Sequence, residues 1–134
     1  MGKQLNICNM KSIIAFFEIP AIDFNRAVNF YQEIFGIRLK TMECGDEKMG
    51  FFPEEEGLCP GAISWSATFE FKPSDQGVLI SLNCEDMESK IDTIQTLGGK
   101  ILIPKTKVEA EGRGYFSVFL DSEGNRIGLH AAVS

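Results

Sequence analysis

Four polar side chains interrupt otherwise apolar, strand-like stretches: Glu18, Asn83, Arg126 and His130. A carboxylate held among apolar neighbours becomes more basic, because burial disfavours its charge. Glu18 is therefore a candidate general base, or a ligand for a cation. Arg126 is the expected ion-pair partner of Glu18. His130 is the only histidine, and its type titrates nearest neutrality. It is a candidate acid–base group, or a surface or dimer contact near the C-terminus. Trp65 offers a ring for stacking on an aromatic ligand, although core packing or a dimer contact is the commoner role for such a residue. Glu109, Glu111 and Arg113 lie in a loop-like stretch that can cover a pocket. The acidic run 54–56 reads as a solvated loop.

The familiar catalytic patterns are missing. No GxSxG elbow, phosphate-binding GxxxxGK(S/T) or HExxH occurs in the sequence. Cys8, Cys44, Cys59 and Cys84 form no CxxC pair, so they suit neither a zinc nor a redox motif. No spacing places one of them as a nucleophile beside His130. Free thiols fit a reducing cytoplasm. Residues 1–12 lack the apolar stretch of a secretory signal and read as a tail. No apolar run is long enough to span a bilayer. With 13 Lys and Arg against 19 Asp and Glu, the net charge is −6. Phosphate backbones and anionic membranes reward basic clusters, and none occurs, so nucleic acid and membrane are excluded as expected partners.

The positioning elements follow from periodicity. Residues 13–20 (IIAFFEIP) read as a buried strand closed by Pro20. Asp23 offers an N-cap, and Phe24, Ala27, Val28, Tyr31, Ile34 and Phe35 follow at helical spacing. Gly36 is placed to end that helix in the left-handed region. Strands are expected over 37–44, 48–52 and 61–71, with a turn at Gly45-Asp46 and a loop at 53–60. Residues 72–77 read as a linker. A second set follows: a strand at 78–84, a helix capped by Asp86 and ended by Gly98-Gly99, and a strand at 100–103 before Pro104. Strands at 115–120 and 126–132 flank a turn in which Gly124 and Asn125 can take positive φ.

The two sets coincide without gaps when the chain is shifted by 63 residues. Phe16 falls on Leu79, Asp23 on Asp86, Ile34 on Leu97, Gly36 on Gly99 and Leu39 on Leu102. Each half is βαβββ. The fold class is α+β: one domain over residues 13–132, with modules at about 13–71 and 78–132. Two such modules can pair into a concave mixed sheet with helices on the outer face.

Three segments carry a family resemblance. IPAIDFNRAVNFYQEIFG (19–36), GVLISLNCEDMESKIDTIQTLGGKIL (77–102) and FLDSEGNRIGLH (119–130) occur in order. Together they resemble the glyoxalase/bleomycin-resistance/extradiol-dioxygenase, or vicinal-oxygen-chelate, superfamily. Ser122 stands where the closing hairpin usually has proline. The resemblance implies a divalent metal, but the positions it implies as ligands hold Phe16, Leu79, Gly128 and the 61–64 stretch, which offers neither carboxylate nor imidazole. The usual metal site is therefore expected to be lost, leaving no cofactor.

Strand alternation puts Phe16 with Glu18, then Leu79 with Ser81 and Asn83, then Arg126 with Gly128 and His130. The resemblance implies that this face is the concave one. Phe16, Glu18, Trp65, Leu79, Ser81, Asn83, Arg126 and His130 are the expected ligand-binding residues, with Glu18 the one catalytic candidate. The bleomycin-resistance branch implies a metal-free binder of a small organic molecule, as a homodimer. A glyoxalase I-like metal-dependent lyase and a metal-free acid–base enzyme using Glu18 are the alternatives.

Overall fold

Phe17 opens the first strand and Asp23 the first helix, and the same two events recur later with Ile80 and Asp86. In the computed structural model, which describes residues 13–68, 70–110 and 112–133, module 1 comprises β1 (Phe17–Pro20), α1 (Phe24–Phe35), β2 (Lys40–Cys44), β3 (Glu47–Phe51) and β4 (Gly61–Ser66). Module 2 comprises β5 (Ile80–Asn83), α2 (Met87–Thr96), β6 (Lys100–Lys107), β7 (Tyr115–Leu120) and β8 (Arg126–Ala131). The repeat is structural: β1 and β5 coincide under the shift found in the sequence.

Local chemistry explains the boundaries. The Asp23 carboxylate accepts the Arg26 N–H at 3.0 Å, satisfying one of the free donors of α1. Gly36 ends the helix at φ 63°, its N–H returning to the Gln32 carbonyl. The second helix differs. Gly98, not Gly99, takes the positive φ of 93°. Gly99 is needed for another reason, since a Cβ there would meet Ile94 Cγ2 at 2.6 Å.

Each module folds into a four-stranded sheet, ordered β1-β4-β3-β2 and β5-β8-β7-β6. In each, one parallel pair joins two antiparallel ones. The mixed sheet thus comes in two halves, with no ladder between β1 and β5 among the described residues. Several strands are shorter than expected: the first begins at Phe17, and the fourth stops at Ser66. The strand expected to stop before Pro104 instead runs to Lys107. It can, because β6 is an edge strand and its register shifts twice around Pro104, where a missing N–H is tolerated.

One core lies between sheets and helices. Ile19, Phe24, Phe30, Tyr31 and Ile63 from module 1 join Met87, Ile94, Phe119, Ile127 and Leu129 from module 2. Phe30 and Phe119 rings lie 6.3 Å apart across the module boundary.

Polar bonds lock that boundary, and they centre on the 121–125 turn. Tyr31 Oη donates to Asp121 Oδ2 at 2.6 Å, fully buried. Glu123 accepts the Ile22 and Asp23 N–H groups at 2.9 and 2.8 Å. The same carboxylate takes both arms of Arg26, at 2.7 and 3.0 Å. Asn125 Nδ2 donates to the Pro20 carbonyl at 2.8 Å. Of the two residues expected to take positive φ here, only Gly124 does, at 95°. Asn125 is retained for its side chain, not its backbone. Burial pushes the Glu123 carboxyl up, but Arg26, the two backbone N–H groups and Ser122 outweigh it and hold it at about 2.

Candidate functional site

The face of sheet 1 turned away from α1 is assembled by register. Glu18 pairs with Ala62, and Phe51 and Met49 lie across from Ala62 and Ser64. Side chains at paired positions share a face, so Glu18, Ala62, Ser64, Met49 and Phe51 stand together. Met42 joins them through its pairing with Met49. The opposite face carries Gly50, where a Cβ would press on Val28 and Leu39 under the helix. Ala62 is fully buried yet lies outside the helix-side core, as this geometry requires. The Phe16 and Phe51 rings lie 6.3 Å apart. Ser64 Oγ donates to Glu18 Oε1 at 2.8 Å. Module 1 thus presents Phe16, Met42, Met49 and Phe51 around a carboxylate–hydroxyl pair, with Lys40 and Glu47 on the same face at the ends of β2 and β3.

Sheet 2 has the matching face. Ser81 pairs with Gly128 and Asn83 with His130, while Val118 and Phe116 stand beside them on β7. Val118 is buried and, like Ala62, is not part of the helix-side core. Gly128 is overlain by Ser81, whose Oγ would lie 2.5 Å from a Cβ there. His130 Nε2 lies 2.7 Å from the Arg113 carbonyl, tying the 108–114 loop to β8. Of the three loop residues expected to cover a pocket, Arg113 makes this contact through its backbone, and Glu111 lies outside the described residues. Cys8 and the N-terminal tail lie outside them too.

The expected site residues therefore separate into two sets. Phe16 and Glu18 lie on sheet 1. Ser81, Asn83, Arg126 and His130 lie on sheet 2, with Leu79 just before β5 and half-exposed. The expected Glu18–Arg126 ion pair is not formed. Arg126 Nε donates instead to the Asp75 carbonyl at 3.0 Å, securing the linker, and Glu18 takes the Ser64 hydroxyl. The physical reason is placement: the two residues belong to different sheets. Trp65 takes its core-packing reading and does not stand on the sheet face with the other expected ligand-binding residues. It shares the helix-facing side with Ile63, packs on the core and carries the Lys48 ammonium 5.1 Å above its ring.

Sequence reading missed a groove of about 1270 Å³ between the modules. One wall is Phe17, Phe35, Ile37 and Phe52; the other is the β5–α2 junction from Ser81 to Lys90. These apolar residues carry the same pattern as core residues, so periodicity alone does not separate them. Only Ser81 and Asn83 of the expected set reach it. Cys84 lines it as well. Burial pushes this thiol up, Lys90 opposes, and Asp86 adds to the rise.

The positions that the superfamily resemblance assigns to metal ligands do not suit a divalent ion. They carry a phenyl ring, an isobutyl group, a bare glycine and a segment without carboxylate or imidazole. Among the described residues, no group of three or more His, Cys, Asp or Glu is placed to hold a metal. Glu18 and His130 belong to no such group.

Residues 13–129 match the sequence model of the Glyoxalase/Bleomycin resistance protein/Dioxygenase superfamily. Solved structures agree in fold. A variant of glyoxalase I from Zea mays superposes with a TM-score of 0.70 at 15% identity, covering 88% of this chain and 45% of that one. The chain therefore spans about half the length of the maize enzyme. A glyoxylase/bleomycin resistance protein/dioxygenase domain from Frankia sp. EAN1pec gives 0.69 at 14% identity, covering 91% and 98%. TnmS3, an antibiotic binding protein from Streptomyces sp. CB03234, gives 0.63 at 20% identity, covering 90% and 96%. No curated protein matches the sequence. Among the described residues, no helix is long and apolar enough to cross a membrane.

Proposed function

We propose, from the premise that this chain belongs to the glyoxalase/bleomycin resistance protein/dioxygenase superfamily, that it binds a small organic molecule on the helix-free faces of its sheets, without a resident divalent metal. The observation that carries this reading is the make-up of the sheet 1 face. Phe16, Met42, Met49 and Phe51 surround the hydrogen-bonded Glu18–Ser64 pair, and Lys40 and Glu47 stand at the edge of the same face. That is how a ligand pocket is usually built: apolar walls with a few polar groups that fix orientation. Antibiotic binding by TnmS3, a structural neighbour of nearly the same length, is consistent with it.

In this reading Phe16 and Phe51 supply contact area, and Glu18 and Ser64 orient a donor on the ligand. Asn83 and His130 act similarly on sheet 2. Two chains set face to face would enclose both surfaces, so the binder is a homodimer. The lyase reading needs a metal, and the donor set is unfit for one.

The test combines metal content with ligand mapping. Untagged protein should carry well under one equivalent of Zn, Ni, Mn or Fe, before and after incubation with each. A ligand found by thermal-shift screening should lose affinity in Phe16→Ala and Glu18→Gln. Stoichiometric metal, or a ligand indifferent to both changes, would sink the reading.

A further inference from the structure

The groove between the modules is a second site, and its chemistry differs from that of the sheet faces. Phe17, Phe35 and Ile37 are only half-buried there, although each packs on the core. Their exposed edges form one wall. Phe17 and Phe52 rings lie 5.6 Å apart, and Phe35 stacks on Tyr31 at 6.5 Å behind them. This leaves a carbon-rich wall open to water in a cleft of about 1270 Å³, large enough for a drug-sized molecule.

Charge decides what such a molecule is. Four carboxylates line the groove (Glu55, Glu85, Asp86 and Glu88) against two ammonium groups, Lys90 and Lys105. One of the two is largely spent. Lys105 lies 4.0 Å from Glu88 and 4.9 Å over the Tyr115 ring. Asp86 is occupied as the cap of α2, accepting the Ser89 N–H. Glu55 and Glu85 are exposed at the rim and form no ion pair among the described residues. Lys90 and the Asp86-capped N-terminus of α2 oppose them. The local balance is negative, and the whole chain carries −6, which steers cations toward the cleft. Aromatic faces add to the preference, since their quadrupole attracts an ammonium.

We infer that the intermodule groove binds an amphipathic organic cation: an amine or quaternary ammonium on an aromatic or aliphatic body. The body lies against Phe17, Phe35 and Phe52. The charge sits at the rim beside Glu55 and Glu85. This site is distinct from the sheet 1 face and shares Ser81 and Asn83 with the sheet 2 face.

The experiment compares two probes with one body, 1-naphthylmethylammonium and 1-naphthoate, on the full chain by calorimetry. Methyl resonances report location: Met87 and Ile37 for the groove, Met42 and Met49 for the sheet face. The cation should bind at one equivalent, about tenfold tighter than the anion, and shift Met87 and Ile37. Glu55→Gln with Glu85→Gln should weaken the cation, and Lys90→Gln should strengthen it, each by about two- to fivefold, the scale of a partly screened charge pair. These are surface changes that leave the core intact. Equal or tighter binding of the anion would overturn the assignment. So would no binding of the cation at millimolar concentration, weaker cation binding in Lys90→Gln, or shifts at Met42 and Met49 in place of Met87.

Discussion

Tyr31 on α1 and Asp121 at the end of β7 are joined by a fully buried hydrogen bond of 2.6 Å, ninety residues apart in the chain. It ties the helix of one module to the closing hairpin of the other. Asp121 Oδ1 is already committed to the backbone N–H groups of Glu123 and Asn125. Oδ2 keeps only Asn125 Nδ2 if the phenol is removed. Tyr31→Phe should therefore destabilise the chain by about 1.5–3 kcal/mol, the scale of a buried bond to a charged group. Urea denaturation checks it: the midpoint should fall with the slope unchanged. A loss within about 0.5 kcal/mol, the level of an ordinary surface change, would mean that the hairpin holds without this bond.

Glu123 makes the acid limb of stability predictable. Its carboxyl stands at about 2 in the fold, against 4.5 ordinarily, because Arg26, backbone donors and Ser122 together overcome its burial. Between those values the unfolded chain binds more protons at this position than the folded one does. Its contribution is therefore fully present above about pH 4.5 and is lost as pH falls through about 2. Glu123→Gln should be less stable than the parent at pH 7 but less sensitive to acid below pH 4.5. Parallel stability curves for the two proteins over that window would refute the assignment.

The repeat and the caps were legible in sequence because they are local. Asp23 and Asp86 each need only the N–H three residues ahead, and the same helix pattern follows each. The face pattern was legible too: Phe17 and Ile19 point under the helix, and Glu18 points away. The 121–125 hub was not. The turn itself shows in the letters, but Glu123 bonding to Arg26 across ninety-seven residues leaves no periodic trace. Likewise Glu18 and Arg126 look like natural partners by charge, and only the division into two sheets separates them. Pro104 misleads for a different reason, since whether a strand can continue through proline depends on being an edge.

Trp65 turns the face assignment into a measurement. It lies on the helix side, half-buried, with Lys48 above it. Trp65→Phe should lower stability by about 1 kcal/mol through lost packing. It should leave the affinity of a sheet-face ligand within about twofold, since no contact is removed. A tenfold loss of affinity would return Trp65 to the ligand-binding set.

The three described cysteines are free thiols, and their surroundings order their reactivity. Cys44 lies exposed on β2, a strand whose residues are all exposed. Cys59 is half-buried, its single S–H placed to donate to either the Phe52 or the Gly61 carbonyl, each 3.3 Å away. Cys84 lines the intermodule groove with its thiol pushed up by burial, so little thiolate exists at neutral pH. The thiolate is the nucleophile. Iodoacetamide followed by peptide mass spectrometry should show Cys44 modified first and Cys84 about tenfold or more slower. Lys90 favours the Cys84 thiolate and Asp86 disfavours it, so Lys90→Gln should slow Cys84 further and leave Cys44 unchanged. If Cys84 instead reacts as fast as Cys44, the groove wall opens more than its packing allows. In that event Phe35 and Lys90, which flank the same cleft, should also lose protection in hydrogen exchange at their backbone amides, the latter bonded to the Asp86 carbonyl.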